Sequence, residues 1–117
     1  MQLELITQWI APAEFLAWKE LPGAGLVMQA YYSYAAWDWR RFCNDGVPSS
    51  ARFIEERVRD DIRVGKRRGV DLAGYSLNSH LTKPILMHML GEHPEWRRMF
   101  EVRKGGKAEM EKAESGN

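Results

Sequence analysis

The chain has 117 residues, a mass of 13.6 kDa and a net charge of +1, with 44% hydrophobic and 28% charged residues. These are the proportions of one soluble globular domain, with no room for a second. The uncharged stretch at residues 21–36 carries Pro22, two glycines, Gln29 and three tyrosines, so it does not read as a membrane span. Met1-Gln2-Leu3-Glu4 lacks the basic start of a secretory signal. The single cysteine, Cys43, can form no internal disulfide and fits no zinc spacing, so a reducing compartment such as a bacterial cytosol is the expected setting.

Charge is unevenly placed. Residues 1–39 sum to −3, residues 40–104 to +5 and the remainder to −1. A segment at +5 is mildly basic, short of what an arm-type nucleic-acid binder carries.

Residues 3–10 fit either a strand or a short helix. Pro12-Ala13-Glu14 opens a helix, since proline is tolerated in a first turn. Phe15, Leu16, Trp18 and Leu21 give it apolar positions, and Pro22-Gly23 stops it. Residues 24–42 hold no breaker after Gly25 and form the longest helix candidate. Leu26, Ala30, Tyr34 and Trp37 share one stripe, widened by Val27, Tyr31 and Trp39. Asn44-Asp45-Gly46 ends it with turn chemistry. Pro48-Ser49-Ser50 starts the next helix, with Ser49 or Ser50 as cap. Ala51, Ile54, Val58 and Ile62 then recur at helical spacing, and Glu55–Arg59 and Arg57–Asp61 stand four apart as supporting pairs. Gly65-Lys66-Arg67-Arg68-Gly69 breaks this helix with a basic loop.

Tyr75-Ser76-Leu77-Asn78 reads as a short extended piece. Leu81, Ile85, Leu86, Met89 and Leu90 predict a helix over residues 83–90, with Thr82 as cap, Pro84 in the first turn and Gly91 as the stop. Ser79-His80-Leu81 is the turn leading in. Pro94-Glu95-Trp96 begins another turn, and Phe100-Glu101-Val102-Arg103 alternates as an edge strand does. Pairing of residues 75–77 with 100–102 would make a two-stranded ribbon. The expected fold is therefore mainly α, a single domain of four to five helices over residues 1–104, with a β ribbon that makes it winged-helix-like. Residues 105–117 lack aromatics and offer only Met110 for burial, so a flexible tail is expected.

Ser50-Ala51-Arg52-x-Ile54-x-Glu56-x-Val58-Arg59, Leu77-Asn78-x-His80-Leu81, His93-Pro94-Glu95 and Phe100-Glu101-x-Arg103 form an ordered series. It resembles a group of short, uncharacterised phage and prophage proteins, over residues 40–104. That resemblance implies a phage or mobile-element origin and a bacterial cytoplasmic setting, and it brings no activity with it.

Enzyme chemistry finds little footing. His88 and Glu92 share a helical face, but no H-E-x-x-H and no cysteine pair accompanies them. Asp60 and Asp61 are adjacent and diverge, so they form no carboxylate dyad. Cys43 has no histidine near it in sequence and reads as a packed thiol. Gly65 and Gly69 do not give a phosphate loop. No cofactor, metal or catalytic residue is expected. Two binding readings remain. In the first, Arg63, Lys66, Arg67 and Arg68 neutralise nucleic-acid phosphates while Ser79, His80 and Lys83 contribute polar contacts at the start of a recognition helix that also turns Met87 and His88 outward. In the second, some of the many aromatics are exposed, and Tyr31, Tyr32, Trp39, Arg40 and Arg41 form a protein-docking patch. A phage protein that inactivates a host complex, as anti-defence proteins do, would carry such a patch; so would a homodimer. Nucleic acid is the leading expectation, a host protein the alternative, and no membrane partner is foreseen.

Overall fold

Residues 11–100 are described by a computed structural model, and proline and glycine set where its helices begin and end. The alternatives for residues 3–10 and the expected tail at 105–117 fall outside the described residues. Helix α1 (Ala13–Lys19) starts after Pro12 and stops before Pro22-Gly23, burying Phe15 and Trp18. Helix α2 (Ala24–Asp45) is the long central element of 22 residues. Its inward stripe is Ala24, Val27, Tyr31, Ala35 and Asp38, spaced by three and four as a helix face requires. Gly46 closes it at φ 71°, donating its N–H to the Phe42 carbonyl at 2.9 Å. That left-handed geometry suits glycine at a helix end.

Helix α3 (Ala51–Arg67) is capped by Ser50, whose hydroxyl accepts from the Phe53 N–H at 3.1 Å. Ile54, Val58 and Ile62 are buried on one face. The helix does not end near Gly65, as the sequence suggests, but runs through it. The Tyr75 ring lies over this glycine, and a Cβ there would sit 2.8 Å from two ring carbons. The Tyr75 hydroxyl donates to the Asp61 carbonyl at 3.0 Å, fixing the ring in that place. A tertiary contact thus covers what composition alone reads as a breaker, and the basic "loop" of residues 65–67 is the helix's own last turn.

A 3-10 turn (Ser79–Leu81), capped by the Asn78 side chain accepting from the His80 N–H at 2.9 Å, leads into α4 (Thr82–Glu92). Thr82 is the first helical residue rather than the cap. Its Oγ1 is bonded to the Tyr31 hydroxyl at 2.9 Å, across the core, and so is not spent on the helix end. Gly91 does not stop α4; the helix closes one residue later, where the His93 N–H meets the Met89 carbonyl at 2.7 Å. A second 3-10 turn (Pro94–Trp96) follows, and residues 97–100 are helical.

Among the described residues there is no strand, so the ribbon and the winged-helix wing are not formed there. Residues 75–77 are irregular, and the Leu77 carbonyl is taken by Arg59 Nη1 at 2.9 Å instead of a neighbouring strand. Residue 100 belongs to a helical segment because Trp96 and Met99, three apart, both turn into the core. The fold is mainly helical. Helix α2 packs on α1, α3 and α4, and α3 packs on α4. The two patterned stretches of α3 and α4 bury their apolar sides against the aromatic N-terminal portion, with Phe15, Tyr31, Ile54, Ile85, Met89 and Met99 fully enclosed.

Candidate functional site

The basic set divides. Arg63, Lys66 and Arg67 stand exposed on the last turns of α3, and Arg68 is the exposed residue that ends it. Arg63 approaches Asp60 at 3.5 Å, both side chains being largely in solvent, while Lys66, Arg67 and Arg68 have no carboxylate partner among the described residues. Cations here complement the negative end of the α3 dipole. Arg63 and Lys66 open onto a shallow groove of about 220 Å³ with Arg59, Ile62, Ser76 and Leu77. Arg59 forms the groove's wall: it holds Glu55 through two nitrogens at 2.7 and 3.0 Å and the Leu77 carbonyl through a third. Ser79, His80 and Lys83 are exposed too, on the 3-10 turn and the first turn of α4, and none of them lines that groove.

Helix α4 is an internal helix. Thr82, Pro84, Ile85 and Met89 are buried, and Met87 and His88, expected to face outward, are half-buried. A helix enclosed on that many sides does not enter a nucleic-acid groove. Any nucleic-acid contact therefore falls to the exposed cations and polar groups at the element ends.

The aromatic set is redistributed more sharply. Tyr31 is fully buried, and burial pushes its hydroxyl up to about 12. Tyr32 is half-buried and committed internally: its hydroxyl donates to Glu92 Oε1 at 2.6 Å and meets His88 Nδ1 at 2.8 Å. Since the phenolic proton goes to Glu92, the imidazole must donate, which places a proton on Nδ1 of His88. Burial, followed by the bond to Glu92, raises the Tyr32 hydroxyl well above its ordinary range. The Tyr32 ring meets the edges of His93 and Trp96, which stack on each other at 4.1 Å. Trp39 is half-buried and stacked on Phe42. Of the expected docking residues, only Arg40 and Arg41 stand clear of the body of the fold.

The exposed aromatic of α2 is instead Trp37, 57% accessible, with the Arg40 guanidinium over its ring at 5.6 Å. Phe53, on α3, is 44% accessible and shares a groove of about 300 Å³ with Arg41, Val47, Pro48, Ser49 and Ser50. The expected apolar stripe was Leu26, Ala30, Tyr34 and Trp37, widened by Val27, Tyr31 and Trp39; of these the structure buries Val27 and Tyr31, together with Ala24, Ala35 and Asp38, and leaves Leu26 and Trp37 exposed.

Sequence reasoning also missed a buried ion pair. Asp38 on α2, 3% exposed, accepts from Arg57 Nη2 at 2.5 Å and from the Ser49 hydroxyl at 2.6 Å, both through Oδ2. Arg57 was expected to pair with Asp61, four residues on; Asp61 instead accepts from the Tyr34 hydroxyl at 2.8 Å. Burial and that bond raise the Tyr34 hydroxyl. The Arg57 guanidinium lies over the rings of Phe53, at 4.0 Å, and Tyr34, at 4.6 Å. The pair expected between Glu55 and Arg59 is formed.

Cys43 is exposed, not packed. Among the described residues no group of three or more His, Cys, Asp or Glu side chains is placed to hold a metal ion. Among them, too, no helix is long and apolar enough to cross a membrane. No protein-family model, curated protein or solved structure matches this chain.

Proposed function

We propose that this is a non-enzymatic phage-type binding protein of the bacterial cytoplasm that holds nucleic acid by its phosphates at the basic end of α3. One observation carries the reading: Arg63, Lys66, Arg67 and Arg68 are all exposed within six residues, and three of them have no carboxylate partner among the described residues. Helix capping accounts for one or two such cations, each worth a few tenths of a kcal/mol to about 1 kcal/mol, not for four. Lys83, His80 and Ser79 add exposed polar groups on a second element. With α4 enclosed, the mode is backbone contact with little base reading, so affinity should vary little with sequence.

Fluorescence anisotropy with a labelled duplex, titrated between about 50 and 200 mM salt, tests this. Three to four phosphate contacts give a slope of log affinity against log salt of about −3. Replacing Lys66, Arg67 and Arg68 together by alanine should weaken binding and flatten that slope by about 2 to 3. Affinity that does not change with salt, or a triple variant with an unchanged slope, refutes the assignment.

A further inference from the structure

Exposed rings and unpaired cations meet where α2 ends and α3 begins. Trp37 is the most exposed large apolar side chain among the described residues, and the Arg40 guanidinium lies over its ring at 5.6 Å. Arg41, also exposed, stands four residues after Trp37, one helical turn along the same face. It lines a groove of about 300 Å³ with Phe53, whose exposed ring has the Arg57 guanidinium over it at 4.0 Å.

Charge on this surface is unbalanced. Arg40 and Arg41 have no carboxylate partner among the described residues, and neither has Arg98, which lies exposed over Phe42 at 5.8 Å. Arg98 belongs to the same neighbourhood, because the carbonyl of Met99 accepts from the N–H of Ser49, on the groove's wall, at 3.4 Å. The acids nearby offset these cations only in part. Asp38 is spent on Arg57 and Glu56 on Arg52, so only Asp45, exposed at the end of α2, remains against the three guanidinium groups.

A protein partner is met by a continuous apolar patch whose centre is depleted of charge. Trp37 and Phe53 form no such patch, because guanidinium groups adjoin both rings. A single nucleic-acid strand needs the opposite: separate rings on which unpaired bases stack, and cations beside them for the phosphates. A duplex keeps its bases stacked on one another and brings this surface only phosphates. We infer that the junction of α2 and α3 is a second nucleic-acid site, which takes a single strand by stacking bases on Trp37 and Phe53 while Arg40, Arg41 and Arg98 hold its phosphates. It is separate from the basic end of α3, since Phe53 precedes Arg63 by about 15 Å and Arg68 by about 22 Å along the helix. The site does not rest on the phosphate reading of that end, and either can fail alone.

Fluorescence anisotropy of the full chain with labelled oligothymidylate and oligouridylate of about ten nucleotides, and with a duplex of the same length, tests the inference. At least one of the two single strands should bind, and the tighter identifies the source as DNA or RNA. Trp37→Ala should weaken that binding about 5- to 100-fold, the loss of one stacked base. Its duplex affinity and helical circular dichroism should be unchanged, because the side chain is in solvent. Trp37→Phe, which keeps a ring, should retain most of the binding. Arg40→Gln together with Arg41→Gln should reduce the slope of log affinity against log salt by about 1.4, at about 0.7 for each single-strand phosphate. Replacing Lys66, Arg67 and Arg68 by alanine should leave single-strand binding in place. Binding of neither strand overturns the inference, as does a Trp37→Ala variant that binds like the wild type. Loss of single-strand binding in the Lys66, Arg67 and Arg68 variant overturns it as well, by moving the strand to the basic end of α3. Polyglutamate that competes as well as the oligonucleotide overturns it too, since charge alone then suffices and an acidic protein fits equally.

Discussion

Replacing Asp38 by alanine is the sharpest test of what holds α2 to α3. The carboxylate is 3% exposed and takes both Arg57 and Ser49 on one oxygen, while Oδ1 has no partner among the described residues. Removing one member of a buried pair costs about 3 to 5 kcal/mol, because the other charge is left behind without compensation. Two features pull the figure to the low end. The Arg57 side chain is 23% exposed and can turn toward water, and it keeps the faces of Phe53 and Tyr34. Against that, the Ser49 hydroxyl, also 3% exposed, loses its acceptor, worth about 1 kcal/mol or more. These losses overlap, so about 3 kcal/mol is expected, roughly a 150-fold fall in the folding constant. Arg57→Met should cost more, since Asp38 is deeper than Arg57 and cannot reach solvent. Arg52→Ala, which breaks only the exposed pair with Glu56, should cost under about 0.5 kcal/mol. Urea unfolding followed by circular dichroism, with the slope unchanged between variants, measures all three. If Asp38→Ala costs less than about 1 kcal/mol, or less than Arg52→Ala, the pair is not what locks the two helices.

Gly65→Ala should destabilise, against the ordinary helix preference of about 1 kcal/mol in favour of alanine, because the new Cβ meets the Tyr75 ring. In a Tyr75→Ala background the same change should stabilise by about that amount, and chemical denaturation of the four variants reads the reversal of sign. The Tyr31 hydroxyl, held at about 12 when folded against an ordinary 10.0, gives stability that is complete below pH 10. It is lost as pH rises, by about 1.4 kcal/mol per unit until the folded hydroxyl itself ionises. Tyr31→Phe should flatten the alkaline limb of a stability–pH curve by that slope, and an unchanged limb refutes the linkage. Ser50→Ala should cost about 1 kcal/mol in the same denaturation assay, as the loss of a helix cap does.

Much of the helical frame is legible in the sequence because its boundaries are chemical. Pro12, Pro22-Gly23, Asn44-Asp45-Gly46 and Ser50 mark ends that no tertiary contact has to create, and Ile54, Val58 and Ile62 state their own face. What was hidden depends on contacts distant in sequence. Gly65 continues a helix only because Tyr75, ten residues on, closes over it. Residues 100–103 alternate like a strand, yet Trp96 and Met99 are buried at helical spacing and carry residue 100 with them. On α2 apolar residues surround most of the helix, so periodicity cannot choose between adjacent stripes. The choice falls to Asp38, a charge that a linear reading assigns to solvent and that Arg57 draws inward. That single inversion turned Trp37 out and Tyr31 in, so Tyr31 of the expected docking residues is buried, while the cations expected on a loop stand exposed on the last turn of α3.

The same buried pair separates Arg57 from the proposed phosphate surface. By drawing Arg57 toward α2, Asp38 leaves a guanidinium that is already neutralised and flanked by Phe53 and Tyr34, whereas Lys66, Arg67 and Arg68 are exposed with no carboxylate partner among the described residues. Cations without a partner favour phosphate. Replacing Lys66, Arg67 and Arg68 by alanine should therefore flatten the salt slope of nucleic-acid binding, and Arg57→Met, assayed where the variant is folded, should leave that slope unchanged. A slope that flattens with Arg57→Met would mean that the division drawn from Asp38 is wrong.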